Sequence, residues 1–504
     1  MEERIVLSGM MGSGKTTVGR LLSRWLGWGF VDTDQEIERE VGKNIERIFE
    51  EEGEGFFREK ESGVIRQVSQ MQRVVIATGG GALLSGENRQ ALSNSQLFFL
   101  HAKPETLARR LADSYPRPLL WGREVVKRLR QILKARQESY QAIRCWLDTE
   151  DLRPEEVAVE VLYHLPPRVR LVADEPEKIW LGRGSLNALP DILDNSPTFV
   201  MLQDGLPRVF QQKLESLGVE SLLLPPGEEV KQLRFAEQVY RWLAERRAER
   251  GSPLMAVGGG SLLDLAGFVA ATFKRGLSLH LVPTTLLAQA DAAIGGKNAL
   301  DLGPVKNVVG TFYHPCNVVA DLYFLLTLPD AEYRSGLAEV LKAGLIGDRG
   351  IVELLKKDDV GERRLDLLEE LVQRSVKVKM ELVKKDFAEE SGERRFLNFG
   401  HTLGHALELL LGLRHGEAIS VGMVFALKVG EGLGVTRRGL REEVEEVLQK
   451  LGLPVELEFP REPILEKLLQ DKKLEKGKIH FVVLEDYEKP GFCWLDPEEL
   501  RRWL

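Results

Sequence analysis

Three cysteines, Cys145, Cys316 and Cys493, are all that 504 residues contain, and no two stand close enough in sequence for a CxxC pair. Neither a thiolate zinc site nor a disulfide framework is indicated, and the usage fits a reducing cytoplasm. A run of about 20 apolar residues, the length a membrane-spanning helix needs, is missing too. Basic residues are not in excess: 69 Lys and Arg against 77 Asp and Glu leave a net charge of -8, which argues against bulk nucleic-acid binding. There is no internal repeat and no low-complexity tract, and the opening MEERIVLSGM has no signal-peptide pattern. What remains is a globular composition, 43% hydrophobic and 29% charged, at a length beyond what one hydrophobic core organises.

Hydrophobic patterning divides the chain. Ile5 to Leu7, Val74 to Ala77 and Leu97 to Leu100 read as buried strands, with a helix from Lys15 to about Trp25. This alternation predicts α/β structure with a parallel sheet covered by helices. After Leu165-Pro166-Pro167 the pattern restarts, with strands expected at Phe199 to Leu202, Leu254 to Val257 and Leu279 to Val282. From about Pro329 long amphipathic helices dominate, such as Arg363 to Lys385 and Arg438 to Lys450. Three domains are expected, over residues 1–166, 167–328 and 329–504.

Gly9-Met10-Met11-Gly12-Ser13-Gly14-Lys15-Thr16, followed by Thr17, fits GxxxxGK[ST] between a strand and a helix. Backbone N–H groups of such a loop point at phosphate oxygens, Lys15 reaches the β- and γ-phosphates, and Thr16 holds magnesium. Asp32-Thr33-Asp34 offers two carboxylates that can divide metal and acceptor duties, or simply cap a helix. Gly79-Gly80-Gly81 is either a tight turn or a bare-backbone ligand wall. Arginines crowd residues 109–136, as a solvated helix face or as a lid over transferring phosphate.

Taken together, residues 1–165 resemble shikimate kinase, in the order and spacing of the P-loop, Asp32 to Asp34, Phe57-Arg58, Gly79 to Gly81, Arg117-Pro118-Leu119 and Arg136 to Tyr140. The resemblance implies a nucleoside-monophosphate-kinase-like fold and an ATP–Mg2+ cofactor. It places Lys15 on phosphate and Thr16 and Asp32 on magnesium. Asp34, Arg58, Gly79, Gly80, Gly81 and Arg136 hold shikimate, with Asp34 at the attacking hydroxyl. Arg117 is the lid arginine, and Arg153 lies against adenine.

Three of the eight histidines fall within fifteen residues: His401, His405 and His415. The first two, at i and i+4, share a helix face and suit a divalent metal. HExxH is not met, because Thr402 stands where a general-base Glu would be. Gly258-Gly259-Gly260-Ser261 follows a strand and precedes a helix carrying Asp264, as a pyrophosphate loop or as a turn. Pro283-Thr284-Thr285, Asp291, Gly295-Gly296-Lys297-Asn298 and Lys306-Asn307 add polar density that suggests a ligand-lined cleft.

About residues 170–504 resemble 3-dehydroquinate synthase, through Gly258 to Asp264, Pro283 to Lys297, Gly336 to Lys342, Asn398 to His405 and His415-Gly416-Glu417. The resemblance implies an α/β NAD-binding domain, an all-helical metal-binding domain and a Zn2+ or Co2+ ion on Glu339, His401 and His415. His405 then becomes a catalytic substrate contact rather than a ligand, with Lys297 and Arg394 also catalytic. Arg275, Asp291, Asn307, Lys342, Lys379, Asn398 and Lys472 complete the substrate set. Asp204, Glu228, Lys231, Gly258, Gly259, Gly260, Ser261, Asp264, Thr284, Thr285 and Lys306 form the NAD set. The segment from Lys379 to Arg394 is one residue longer than the family pattern. The family's substrate, 3-deoxy-arabino-heptulosonate 7-phosphate, carries a carboxylate and a phosphate, which explains a cationic pocket. In the cycle the resemblance implies, NAD oxidises a ring hydroxyl, phosphate leaves, and NAD is regenerated. The partners are small molecules, with a homodimer implied through the synthase half. Two competing readings are a metal-dependent polyol dehydrogenase, with fewer cationic substrate residues, and a P-loop domain that senses nucleotide without phosphorylating shikimate.

Overall fold

In the computed structural model, described for residues 3–114, 123–141, 143–193, 199–303, 305–390, 392–471 and 478–504, the apolar runs become central strands. Strands β1 (Arg4–Gly9), β2 (Gly29–Asp32), β3 (Val74–Ala77), β4 (Gln96–His101) and β5 (Cys145–Asp148) form one parallel sheet in the order β2-β3-β1-β4-β5. The central strand, β1, is buried along its length, with Ile5, Val6 and Leu7 completely so. The helix Lys15–Leu26 turns Val18, Leu22 and Trp25 inward at i, i+4 and i+7 and stops at Gly27 in a left-handed cap.

The second sheet comprises β6 (Arg168–Ala173), β7 (Lys178–Arg183), β8 (Phe199–Gln203), β9 (Ser221–Leu224), β10 (Pro253–Gly258), β11 (Ser278–Pro283) and, later in the chain, Asn317–Asp321. Between these lies a separate antiparallel hairpin of β12 (Lys297–Leu302) and β13 (Val305–Phe312), so Asn317–Asp321 is β14. The order is β6-β7-β14-β11-β10-β8-β9, parallel except for the β6 edge. The carboxyl ends of β8, β10 and β11 therefore open on one side, where ligands bind in such sheets.

Helices dominate from residue 323 onward. The expected all-helical half carries one exception, the hairpin β15 (Ile479–Asp486) and β16 (Lys489–Leu495). Its alternation is short and flanked by charge, and Phe481, Val483, Cys493 and Leu495 pack it on the helices. Gly416 decides how the helices meet. A Cβ there would lie 2.3 Å from the Ser335 carbonyl oxygen, so only glycine lets His415–Gly432 press against Asp330–Gly347. The chain folds as two compact units, Met1–Pro166 with Pro207–Val209, and Pro167–Leu206 with Phe210–Leu504. No helix among the described residues is long and apolar enough to cross a membrane.

Candidate active sites

In the first unit the P-loop links β1 to its helix, with Gly12 and Gly14 at positive φ. Lys15 folds back, donating to the carbonyls of Gly9 and Met10 at 3.0 Å each. Burial lowers its pKa, partly offset by Asp34 and Asp32. Ser13 is buried with its hydroxyl unpartnered, and Thr17 is exposed on the helix. The Thr16 hydroxyl donates to Asp32 Oδ2 at 2.6 Å. Asp32 also caps the helix Thr33–Val41 through the backbone of Asp34, so the capping and functional readings coexist.

Asp34 differs from its neighbour. Burial, then the charge of Asp32, raises its carboxyl to about 6 despite Lys15, and its Oδ1 has no hydrogen-bond partner. The glycine run abuts it: a Cβ on Gly79 would sit 2.5 Å from Asp34 Oδ1, and one on Gly81 2.7 Å from Arg58 Nη1. Arg136 donates to the Gly80 carbonyl at 2.9 Å, as does the Tyr140 hydroxyl at 2.6 Å. Asp34, Arg58 and Arg136 therefore all abut one glycine run, which lies against the phosphate loop at Gly9 and Met11. Arg58 is held at 2.7 Å by Glu61, a buried residue that sequence reading missed and that its i+3 spacing from Arg58 could have flagged. Arg153 is exposed and paired with Glu156 at 3.0 Å. Arg117 lies outside the described residues.

In the second unit the loop after β10 opens the helix Gly260–Thr272, and Gln203 at the end of β8 accepts the Gly259 N–H at 2.9 Å. Ser261 donates to Glu228 at 2.6 Å, and Lys231 pairs with Asp264 at 2.8 Å and with Asn307. Burial raises Asp264 to about 6 against the pull of Lys231. Thr284 and Thr285 follow β11, and Asp204 follows β8. Arg275 is not brought to this end. It is exposed beside the amino end of β11, the far end of the strand from Thr284, because a tight Phe273–Arg275 turn places it there.

Helix packing brings the metal-type donors together. Glu339, His401 and His415 each present one atom within 4.8 Å of the others. Glu339 Oε1 lies 3.1 Å from His415 Nε2 and 3.5 Å from His401 Nε2, while its other oxygen meets the Lys342 ammonium. Burial would raise Glu339, but Lys342, His401 and His415 hold it well below the usual carboxylate range. Burial and Lys342 hold the pKa of His401 well below its usual value. Burial would also lower His415, yet bonds to Glu339 and Glu408 carry it up to about 9. The ring of His405 is 5.1 Å from that of His401, outside the trio. Sequence reading missed Glu408, which accepts from His415 Nδ1 at 3.2 Å and which its i+3 spacing from His405 could have indicated.

Cations ring this cluster. Lys379 pairs with Asp291 at 2.8 Å despite its longer following segment, and Lys297 pairs with Glu389 at 2.5 Å. Burial would raise Asp291, but Lys379 and Lys342 hold it low. Lys306 bonds Glu408 at 2.6 Å. Arg394 is buried under Gly295 and Phe387, and Asn398 ends the same turn of 3-10 helix. Lys472 lies outside the described residues.

A P-loop phosphotransferase unit followed by a nucleotide-loop and metal-cluster enzyme is the class these features define. Family profiles agree: shikimate kinase matches residues 11–166, the 3-dehydroquinate synthase N-terminal profile 221–335 and its C-terminal profile 336–474. The bifunctional shikimate kinase/3-dehydroquinate synthase of Thermotoga maritima is 37% identical over 503 residues, 99% of each chain. The 3-dehydroquinate synthase of Pyrobaculum islandicum is 46% identical over 52% of this chain and 78% of its own. A 2-deoxy-scyllo-inosose synthase solved with carbaglucose-6-phosphate, NAD+ and Co2+ superposes with TM-score 0.61 at 26% identity, over 67% of this chain and 98% of that one. The chain belongs to the bifunctional shikimate kinase/3-dehydroquinate synthase family. Its first unit is a shikimate kinase and its second a 3-dehydroquinate synthase, which sets aside the polyol dehydrogenase and nucleotide-sensor readings.

Proposed function

We propose that the kinase unit uses ATP with Mg2+, and that the synthase unit uses NAD with Zn2+ or Co2+. The kinase residues fit the nucleotide. Gly12 and Gly14 curl the loop so that N–H groups converge at a helix start, and Thr16 and Asp32 supply hard oxygen donors for magnesium. The bound nucleotide and ion supply the phosphoryl group and charge neutralisation. Arg58 and Arg136 orient the shikimate carboxylate, and Lys15 holds phosphate oxygens. Asp34 takes the hydroxyl proton, a task suited to a carboxylate raised to about 6.

In the synthase, one carboxylate and two imidazoles with donor atoms within 4.8 Å of one another would hold the metal, a donor set of the kind catalytic zinc sites use. The metal supplies Lewis-acid polarisation of substrate oxygens, and NAD on Gly258 to Gly260 supplies reversible oxidation of a ring hydroxyl. Lys297, Lys342, Lys379 and Arg394 bind the substrate's anionic groups, Asn307 and Asn398 its hydroxyls, and His405 contacts it beside the metal. Glu228, Lys231, Asp264 and Lys306 position the nucleotide. The observation that carries the reading is the Glu339–His401–His415 trio, with Glu339 and His401 buried and His415 half-buried, set among these cations. Exposed Leu302, Val305 and Val308 on β12 and β13 support a homodimer through this unit. Three free cysteines support a cytoplasmic setting. The test is phosphate release from the heptulosonate phosphate with and without chelator and NAD. The reading requires both the metal and NAD; activity that survives chelation overturns it.

A further inference from the structure

Glu177, immediately before β7, is 1% exposed and belongs to none of the residue sets above. Both its carboxylate oxygens are engaged. Oε1 accepts the Gly295 N–H at 2.7 Å, and Oε2 pairs with His314 Nδ1 at 2.7 Å. The Gly295 carbonyl in turn accepts from Arg394 Nη2 at 2.7 Å, and the Phe387 carbonyl accepts from Nη1 at 2.6 Å. The His314 ring stacks on Phe387 with centroids 4.2 Å apart. The contacts close a ring from Glu177 through Gly295, Arg394, Phe387 and His314 back to Glu177.

Within that ring Arg394 is 1% exposed, yet its Nε–H has no partner in the protein. A buried guanidinium with a spare donor is arranged for a ligand, and its aim depends on the two carbonyls that grip it. The Gly295 carbonyl is the grip that Glu177 reaches directly, through the N–H of the same residue. Gly295 has φ +85°, and a Cβ there would lie 2.7 Å from Val383 and 2.9 Å from Arg394 Nη2. The turn is closely packed, and the carboxylate of Glu177 fixes its N–H. Gly296 and Lys297 follow directly, so the same anchor sets where Lys297 leaves the turn.

We propose that Glu177 is a positioning residue of the synthase: by pinning Gly295 and His314 it aims Arg394, and with it Lys297, at the anionic groups of the substrate. The proposal rests on the reading of Arg394 as a substrate residue, and the experiment separates the two.

Steady-state synthase kinetics are measured for E177A, E177Q, H314Q, R394K and the E177A/R394K pair, alongside melting temperature and NAD binding. E177A is expected to raise KM for the heptulosonate phosphate at least tenfold, with a smaller change in kcat and NAD affinity within twofold of wild type. E177Q is expected to restore most of this, because its amide oxygen can accept from Gly295 while its amide nitrogen donates to the other tautomer of His314. In the R394K background E177A is expected to add less than twofold. A merely structural Glu177 would lower melting temperature and NAD affinity and multiply its effect onto R394K; that pattern, or an unchanged KM in E177A, overturns the proposal. Should E177A not fold, H314Q carries the test, with a KM at least threefold above wild type expected and an unchanged KM overturning it. An unchanged KM in R394K overturns the reading of Arg394 itself.

Discussion

Lys306, on β13 of the α/β half, donates to Glu408, on the helix His401–Leu411, at 2.6 Å. Glu408 spends its other oxygen on His415 Nδ1, and this double engagement takes its carboxyl down to about 2 although burial opposes it. One carboxylate thus ties Lys306, proposed for the nucleotide, to His415, proposed for the metal. Such outer partners orient the imidazole and raise its basicity. E408Q should weaken metal retention roughly 10–100-fold. Chelator competition followed by metal analysis measures this, and shikimate-dependent ADP release should be unchanged.

Asp34 predicts the acid limb of the kinase. Its carboxyl titrates at about 6, because burial and then Asp32 disfavour the charged form. It accepts a proton only when ionised, so the rate should fall as pH drops through about 6 and level off above it. D34N should cost about 10²–10⁴-fold in kcat. A pH–rate profile of shikimate phosphorylation, taken as kcat/KM so that it reports the free enzyme, checks the first expectation, and saturating kinetics of the variant check the second.

Gly79→Ala tests the acceptor pocket. The new methyl would meet Asp34 Oδ1 at 2.5 Å and Glu61 Oε1 at 2.8 Å, so both buried carboxylates must shift. Shikimate KM should rise at least about tenfold, while nucleotide affinity stays near wild type, because the P-loop is untouched. Parallel titrations with shikimate and with ATP separate the two.

How much of this was legible in sequence follows from where partners lie. The P-loop was readable because its eight residues are contiguous and do their work through their own backbone. Asp32 and Asp34 were readable as a pair, but only packing separates a cap that also meets Thr16 from a buried carboxylate that titrates at about 6. Histidine spacing pointed to His401 and His405. The trio instead takes His415 and Glu339 because Gly416 admits a neighbouring helix, a contact no local pattern encodes. Glu177 carries no local signal at all, since its partners stand 118 and 137 residues away. The β15–β16 hairpin was hidden among helical periodicity, its pairing set by packing on the helices.

His280 predicts an acid weakness of the synthase unit. It is buried in β11 between Ser278 and Asn317, and burial lowers its pKa to about 4. The folded state prefers the neutral ring. The stability it contributes is complete above the unfolded value of about 6.5 and is lost as pH falls towards 4. The loss amounts to roughly 3 kcal/mol, at about 1.4 kcal/mol per pH unit. H280Q should flatten the dependence of the unit's melting temperature on pH between 6.5 and 4, as calorimetry can read.

The central claim is two separate active sites in one polypeptide, and reciprocal inactivation tests it most directly. Shikimate-dependent ADP release and heptulosonate-phosphate-dependent phosphate release are measured on wild type, K15A and H401A. The account predicts that K15A loses only the first activity, and that H401A loses only the second together with its metal. Loss of both activities in either folded variant, or unchanged metal content and phosphate release in H401A, would contradict it.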